Sequence, residues 1–141
     1  MPSIAVDSGP MIAMFDPADR YHKQASEFAL RARKSLWTTT SVVVGEVAAM
    51  LSDIQPNQFR FLEFARITLK IDDRLGEDLP RMIEIMTKYR DLPADLADVS
   101  LIALCERRGI STVATIDKDF LVYRLPKGRK FENVFFGAAN S

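Results

Sequence analysis

Apolar positions along this chain switch repeatedly between short continuous runs, the mark of buried strands, and the three-to-four-residue rhythm of helices. Ile4, Ala5 and Val6 predict a first strand over 3–6, followed by a turn at Ser8, Gly9 and Pro10. Asp16 and Pro17 read as an N-cap with proline in the first helical position, opening a helix to about residue 34 whose inner stripe is Ala25, Phe28, Ala29 and Ala32. A second strand is predicted over 36–39. The run from Ser41 to Val44 is β-branched, but Ser41 is a good N-cap, and a helix reaching about residue 51 is the reading adopted. Pro56 and Asn57 open a further helix carrying Phe59, Phe61, Leu62 and Phe64, after which 67–71 alternates as a strand would. Asp72 and Asp73 stand before a helix over roughly 75–89, with Leu79, Met82, Ile83 and Met86 on its apolar face.

Pro93 interrupts the pattern, and 94–108 then reads as a helix apolar on nearly every side, which predicts burial in the middle of the fold, with Gly109 ending it. A strand over 112–116, a segment over 117–123, a basic turn and a last short strand near 134–136 complete the chain. Strands alternating with helices predict an α/β fold with a parallel sheet covered on both faces. The length of 141 residues suits one domain over 1–141.

Lys plus Arg total 19 and Asp plus Glu total 19, so no global field draws the protein to a polyanion, and such a substrate must be held locally. Hydrophobic residues at 48% and charged residues at 27% exclude a disordered chain. No apolar stretch approaches the ~20 residues of a membrane span. The single cysteine, Cys105, lies in an apolar segment and reads as a small core residue suited to a reducing cytoplasm, where the protein is expected to be soluble.

Four carboxylates stand where packing does not call for a charge. Asp7 and Asp117 close apolar strand runs, and in an open α/β sheet the carboxyl ends of neighbouring strands share one crevice. Both also suit a turn or cap after a strand. Glu46 sits among Gly45, Val47, Ala48 and Ala49, too far past Ser41 for a capping box and with no evident Lys or Arg at helical spacing. Asp98 interrupts the apolar helix; together with Asp95 it also reads as an ordinary helix start, Asp95 capping and Asp98 favouring the positive end of the dipole. Packed together, like charges repel unless a cation or proton offsets them, and hard oxygen donors favour Mg²⁺ or Mn²⁺. Asp119 is placed to support such a site from behind, and Ser8 and Thr115 to donate hydrogen bonds to the strand-end acids, although hydroxyls more often satisfy backbone. With His22 the only histidine, no nucleophile elbow and no glycine-rich phosphate cradle, other familiar hydrolytic and nucleotide chemistries find no support.

Four segments carry a family resemblance: IAVDSGPMIAMF, VVVGEVAAML, YRDLPADLADVSLIALCERRGI and VATIDKDFLVYR. In that order and at those separations the sequence resembles the PIN-domain family, and within it the VapC-like ribonuclease toxins of bacterial and archaeal toxin–antitoxin pairs. The resemblance implies a three-layer α/β/α sandwich around a roughly five-stranded parallel sheet. It also implies that Asp7, Glu46, Asp98 and Asp117 bind one or two Mg²⁺ or Mn²⁺ ions, with Asp95 and Asp119 as secondary positions. The implied reaction is endonucleolytic RNA cleavage by an activated water, leaving a 5′-phosphate and a 3′-hydroxyl.

Lys118, Arg124, Lys127, Arg129 and Lys130 follow Asp117 and are expected to contact RNA phosphates, unless they form only a solvated loop. Met50, Leu51 and the phenylalanine-rich 59–64 segment suit a groove for the helix of a VapB-like antitoxin, or equally core packing. Family members are commonly homodimers. The competing reading is a catalytically silent PIN-like module that binds RNA or protein, against which the retention of all four acids argues. A phosphoaccepting receiver domain would want an acidic pair directly after strand one, where this chain has Asp7, Ser8 and Gly9.

Overall fold

A computed structural model describes residues 2–92 and 94–137. Its five strands, β1 (Ser3–Val6), β2 (Leu36–Thr40), β3 (Lys70–Asp72), β4 (Thr112–Ala114) and β5 (Glu132–Asn133), form one sheet in the order β3-β2-β1-β4-β5. Every pairing is parallel. Six helices complete the three-layer α/β/α sandwich: α1 (Ser8–Phe15), α2 (His22–Arg31), α3 (Ser41–Met50), α4 (Gln55–Thr68), α5 (Leu75–Lys88) and α6 (Leu96–Arg108). The strand order reverses between β1 and β4, so the crevice of such a fold opens at their carboxyl ends.

The inner strands are short, and each is buried along nearly its whole length. Ile4, Ala5 and Val6 fill β1, and Val113 and Ala114 fill the neighbouring β4. β2 buries three threonines, whose hydroxyls therefore need partners. Thr38 donates to the Lys70 carbonyl at 3.0 Å and Thr39 to that of Val6 at 2.8 Å, while Thr40 shares a 2.8 Å bond with Ser100 of α6. α6 is buried continuously from Ala97 to Cys105, and Gly109 ends it in the left-handed conformation at φ 66° that glycine adopts without penalty.

Several boundaries differ from the sequence pattern. Ser8, Gly9 and Pro10 are not a turn but the first turn of α1, capped by Asp7; Pro10 costs nothing there, because the first N–H groups of a helix have no intrahelical partner. Asp16 ends α1 rather than starting the next helix, and side-chain acceptance by Asp16 and Asp19 turns the chain so that α2 begins only at His22. Ile67 belongs to α4, and the following strand is confined to Lys70–Asp72. The last strand is Glu132–Asn133, two residues earlier than predicted, because Phe135 turns into the core. Asp72 is not a cap. It is buried, and Arg107 grips both its oxygens at 2.8 and 2.9 Å while also bonding Asp78, which ties β3, α5 and α6 together.

Candidate active site

At the reversal point β1 runs straight into α1, and the residue at the junction is Asp7. Its backbone N–H donates to the Ala114 carbonyl at 2.9 Å, which pins it against β4. Both carboxylate oxygens are engaged: one accepts the Ser8 N–H as the helix cap, the other accepts the Thr115 hydroxyl, each at 2.8 Å. Thr115 is held in turn by Asn133 of β5, whose amide bonds both the N–H and the C=O of Thr115 at 3.2 and 3.0 Å. The same Thr115 oxygen accepts the Asp117 N–H at 2.9 Å, so a single hydroxyl links the two strand-end acids.

Asp117 turns the chain after β4 and caps a short 3-10 turn (Lys118–Leu121) through the Asp119 N–H at 2.8 Å. From α3, Glu46 accepts a short hydrogen bond from the Ser8 hydroxyl. That differs from the expected role of Ser8: its N–H, not its hydroxyl, serves Asp7. In the first turn of α6, Asp95 caps the Asp98 N–H at 2.8 Å and leaves the Asp98 carboxyl facing inward, 7% exposed.

These acids lie within electrostatic reach of one another. Burial pushes the Asp7 carboxyl up to about 6, opposed by the Thr115 and Ser8 hydrogen bonds and reinforced by the charges of Asp117 and Glu46. Asp98 is held well above the carboxylate range, first by burial, then by the charge of Asp7, by its hydrogen bond with Asp117, and by Asp95. Among the described residues none of Asp7, Glu46, Asp98 and Asp117 is paired with a Lys or Arg. The available ligand atoms are all oxygens and have no basic counter-charge among the described residues, which fits a hard divalent cation. As they stand, no three acidic, imidazole or thiol side chains among the described residues group tightly enough to hold one.

The PIN domain family model matches residues 4–125, which includes all four acids. The chain belongs to the PIN-domain family. VapC20 of Mycobacterium tuberculosis, a toxin that cleaves the sarcin–ricin loop, superposes with a TM-score of 0.75 at 16% identity, over 82% of this chain and 91% of that one. VapBC2 of Rickettsia felis, solved bound to a DNA fragment from its promoter, gives a TM-score of 0.66 at 15% identity, over 93% and 98%. At such identities the likeness is one of fold. No curated protein matches the chain.

Around the acids of this PIN domain stand groups the sequence did not single out. Asn133 steadies Thr115, and nothing around it in the sequence, where it follows Glu132, marks that role. Tyr123 is fully buried against Tyr89 and Phe120, with ring centroids 5.1 and 5.2 Å away. Its hydroxyl has no hydrogen-bond partner among the described residues, and its pKa is raised by burial and by the charges of Asp98, Asp119, Asp117 and Asp95. Nothing in the local sequence announces that burial. Of the basic residues after Asp117, Lys118, Lys127, Arg129 and Lys130 are exposed. Arg124 instead spends one guanidinium nitrogen on the carbonyls of Leu121, Val122 and Tyr123.

Proposed function

We propose that this PIN domain is a Mg²⁺- or Mn²⁺-dependent endoribonuclease and the toxin of a type II toxin–antitoxin pair, with Asp7, Glu46, Asp98 and Asp117 holding the cation. What supports the reading is that β1, α3, α6 and the end of β4 each bring a carboxylate without a basic partner among the described residues to the side of the sheet where the strand order reverses, near enough for their charges to raise the Asp7 and Asp98 carboxyls. When bound, a divalent cation supplies water activation and charge stabilisation for in-line displacement at phosphorus. The chain's own residues do the rest. Thr115 fixes the rotamer of Asp7 and the path of Asp117, and Asp95 fixes the first turn of α6 that carries Asp98. Ser8 donates to one oxygen of Glu46, which orients that carboxylate and leaves its other oxygen for a cation.

RNA phosphates are met by Lys118, Lys127, Arg129 and Lys130, while Arg124 shapes the loop that presents them. A VapB-like antitoxin helix docks on Met50, Phe59 and Leu62, which are exposed; Leu51 and Phe61 of the same stretch are buried and belong to the core. The Rickettsia neighbour, a VapBC pair by name, supports that partner. We further propose a cytoplasmic homodimer of single-domain subunits, consistent with a buried reduced Cys105 and with no described helix long and apolar enough to cross a membrane.

The test is cleavage of structured RNAs in Mg²⁺, Mn²⁺ or chelator, with Asp7→Asn and Glu46→Gln as controls. Cleavage that needs the cation and vanishes in both variants supports the reading. Full activity in both variants ends it, and metal-independent RNA binding without cleavage would favour a silent module instead.

A further inference from the structure

Beside the acids, on the β5 side, lies a cleft of about 220 Å³. Its walls are Phe120, Phe131 and Phe136 with Leu121, and its rim carries Asp117 and Lys118. Phe120 and Phe131 brace each other edge to face at 5.5 Å, and Phe136 is propped by Phe135 at 4.9 Å. Two of the wall residues cover little: Leu121 is 74% and Phe136 53% exposed. Together with the two braced rings they give an open apolar surface beside a charged site, on which something flat and apolar can rest.

We propose that this cleft is a nucleobase subsite, which takes one unpaired base of the RNA next to the scissile phosphate and stacks it against Phe136 and Leu121. The proposal rests on the ribonuclease reading above and adds what the enzyme grips. Three features select this occupant. Asp117 belongs both to the cleft and to the acidic cluster, so whatever fills the cleft is one residue from the chemistry. Lys118, exposed on the same rim, supplies the positive charge a neighbouring phosphate needs, whereas the acids repel a carboxylate-rich ligand. Finally, the space is smaller than that of drug-sized ligand pockets, about 300 Å³ and upward, and suits one ring system better than a helix of a partner protein.

The cleft also predicts how selective this grip is. Its polar wall residue, Asn133, has both ends of its amide committed: the oxygen accepts from Thr115 and Phe135, the nitrogen donates to Thr115. Asn133 therefore holds the wall in place and has one amide N–H left to offer a base. The larger part of the grip is stacking, which every base supports, so the subsite favours an unstacked nucleotide, purines ahead of pyrimidines.

A short single-stranded RNA carrying 2-aminopurine tests this without turnover, using Asp7→Asn protein in Mg²⁺. Stacking quenches the fluorophore, Phe136→Ala weakens binding about tenfold, and Leu121→Ala does so by a smaller factor. Replacing the responding nucleotide by an abasic one costs the parent a similar factor and costs Phe136→Ala nothing further, because the two changes remove one interaction. Unchanged affinity in Phe136→Ala with an intact circular dichroism spectrum, or an abasic penalty that persists in it, overturns the subsite; a cleft used only by a partner protein gives that result. Base-dependent binding in a protein that never cleaves keeps the subsite and ends the nuclease reading. Cleavage indifferent to Phe136 does the reverse.

Discussion

Replacing Asp7 by Asn should stabilise the metal-free protein at neutral pH, and the gain should itself depend on pH. The Asp7 carboxyl rises from an ordinary 3.8 to about 6 on folding, because it is 3% exposed and faces Asp117 and Glu46. Between those values the folded state binds more protons than the unfolded one, so stability is fully present below pH 4 and is lost as the pH rises through 6. A rise of roughly two units corresponds to about 3 kcal/mol at ~1.4 kcal/mol per unit. Asparagine carries no such penalty. It keeps an oxygen for the Ser8 N–H but disturbs the Thr115 hydroxyl, a cost that does not vary with pH and cancels in the comparison. The assay is calorimetric unfolding of both proteins in EDTA at pH 4 and pH 8. For a chain of this size ~1 kcal/mol moves Tm by about 3–4 °C, so the variant should gain about 10 °C on its parent between the two conditions. Asp98 titrates in the same direction in both proteins, and its main cause, burial, is untouched. Melting curves that shift in parallel, or a variant that loses ground at pH 8, would refute the claim that Asp7 is a buried carboxylate strained by its neighbours. In cleavage assays the same stabilised variant should be inactive.

Other expectations follow from single contacts. Thr115→Val removes the hydroxyl joining Asp7 to Asp117 and should cut cleavage about 10- to 100-fold while leaving affinity for RNA unchanged, which steady-state kinetics separates. Tyr123→Phe deletes a buried hydroxyl that has no partner among the described residues and should raise the Tm by a few degrees, about 1 kcal/mol; a fall would mean that the hydroxyl has found an acceptor in solution. Arg107→Ala strands the buried Asp72 with only the 3.5 Å contact to Arg108 and should cost about 2–3 kcal/mol in urea unfolding at pH 7. Because Arg107 holds the Asp72 carboxyl below its usual range, that deficit should shrink as the pH falls through the folded-state value.

How far such a site can be read from a sequence depends on the range of the interaction that fixes each residue. Asp7, Glu46 and Asp117 stood out as candidates because each is a charge set against a local apolar pattern that burial alone would forbid. Asp98 was half legible, since the Asp95 cap and the helix dipole explain an acid there without any site. The element boundaries failed where one local pattern serves two structures. Ser8, Gly9 and Pro10 suit a turn as well as a helix start, and only Asp7, which caps α1 while closing β1, decides between them. The same acid thus ends a strand and caps a helix at the point where the strand order reverses, so the feature that hid α1 is the one that marked the crevice.

Groups held by distant partners left no local trace at all. The pairing of Asp72 with Arg107 spans 35 residues, and Asn133 reaches back 18 residues to clamp Thr115. Such contacts follow from strand order: only after β5 lies beside β4 do Asn133 and Thr115 meet, and only with β1 on the other side of β4 does Thr115 reach Asp7. A relay from β5 through β4 to β1 then sets the rotamer of the most deeply buried acid. The placement of the proposed ligands Asp7 and Asp117 is accordingly a property of the sheet's order, and on the proposed function substitutions at the β5 edge should alter metal affinity before they alter the fold.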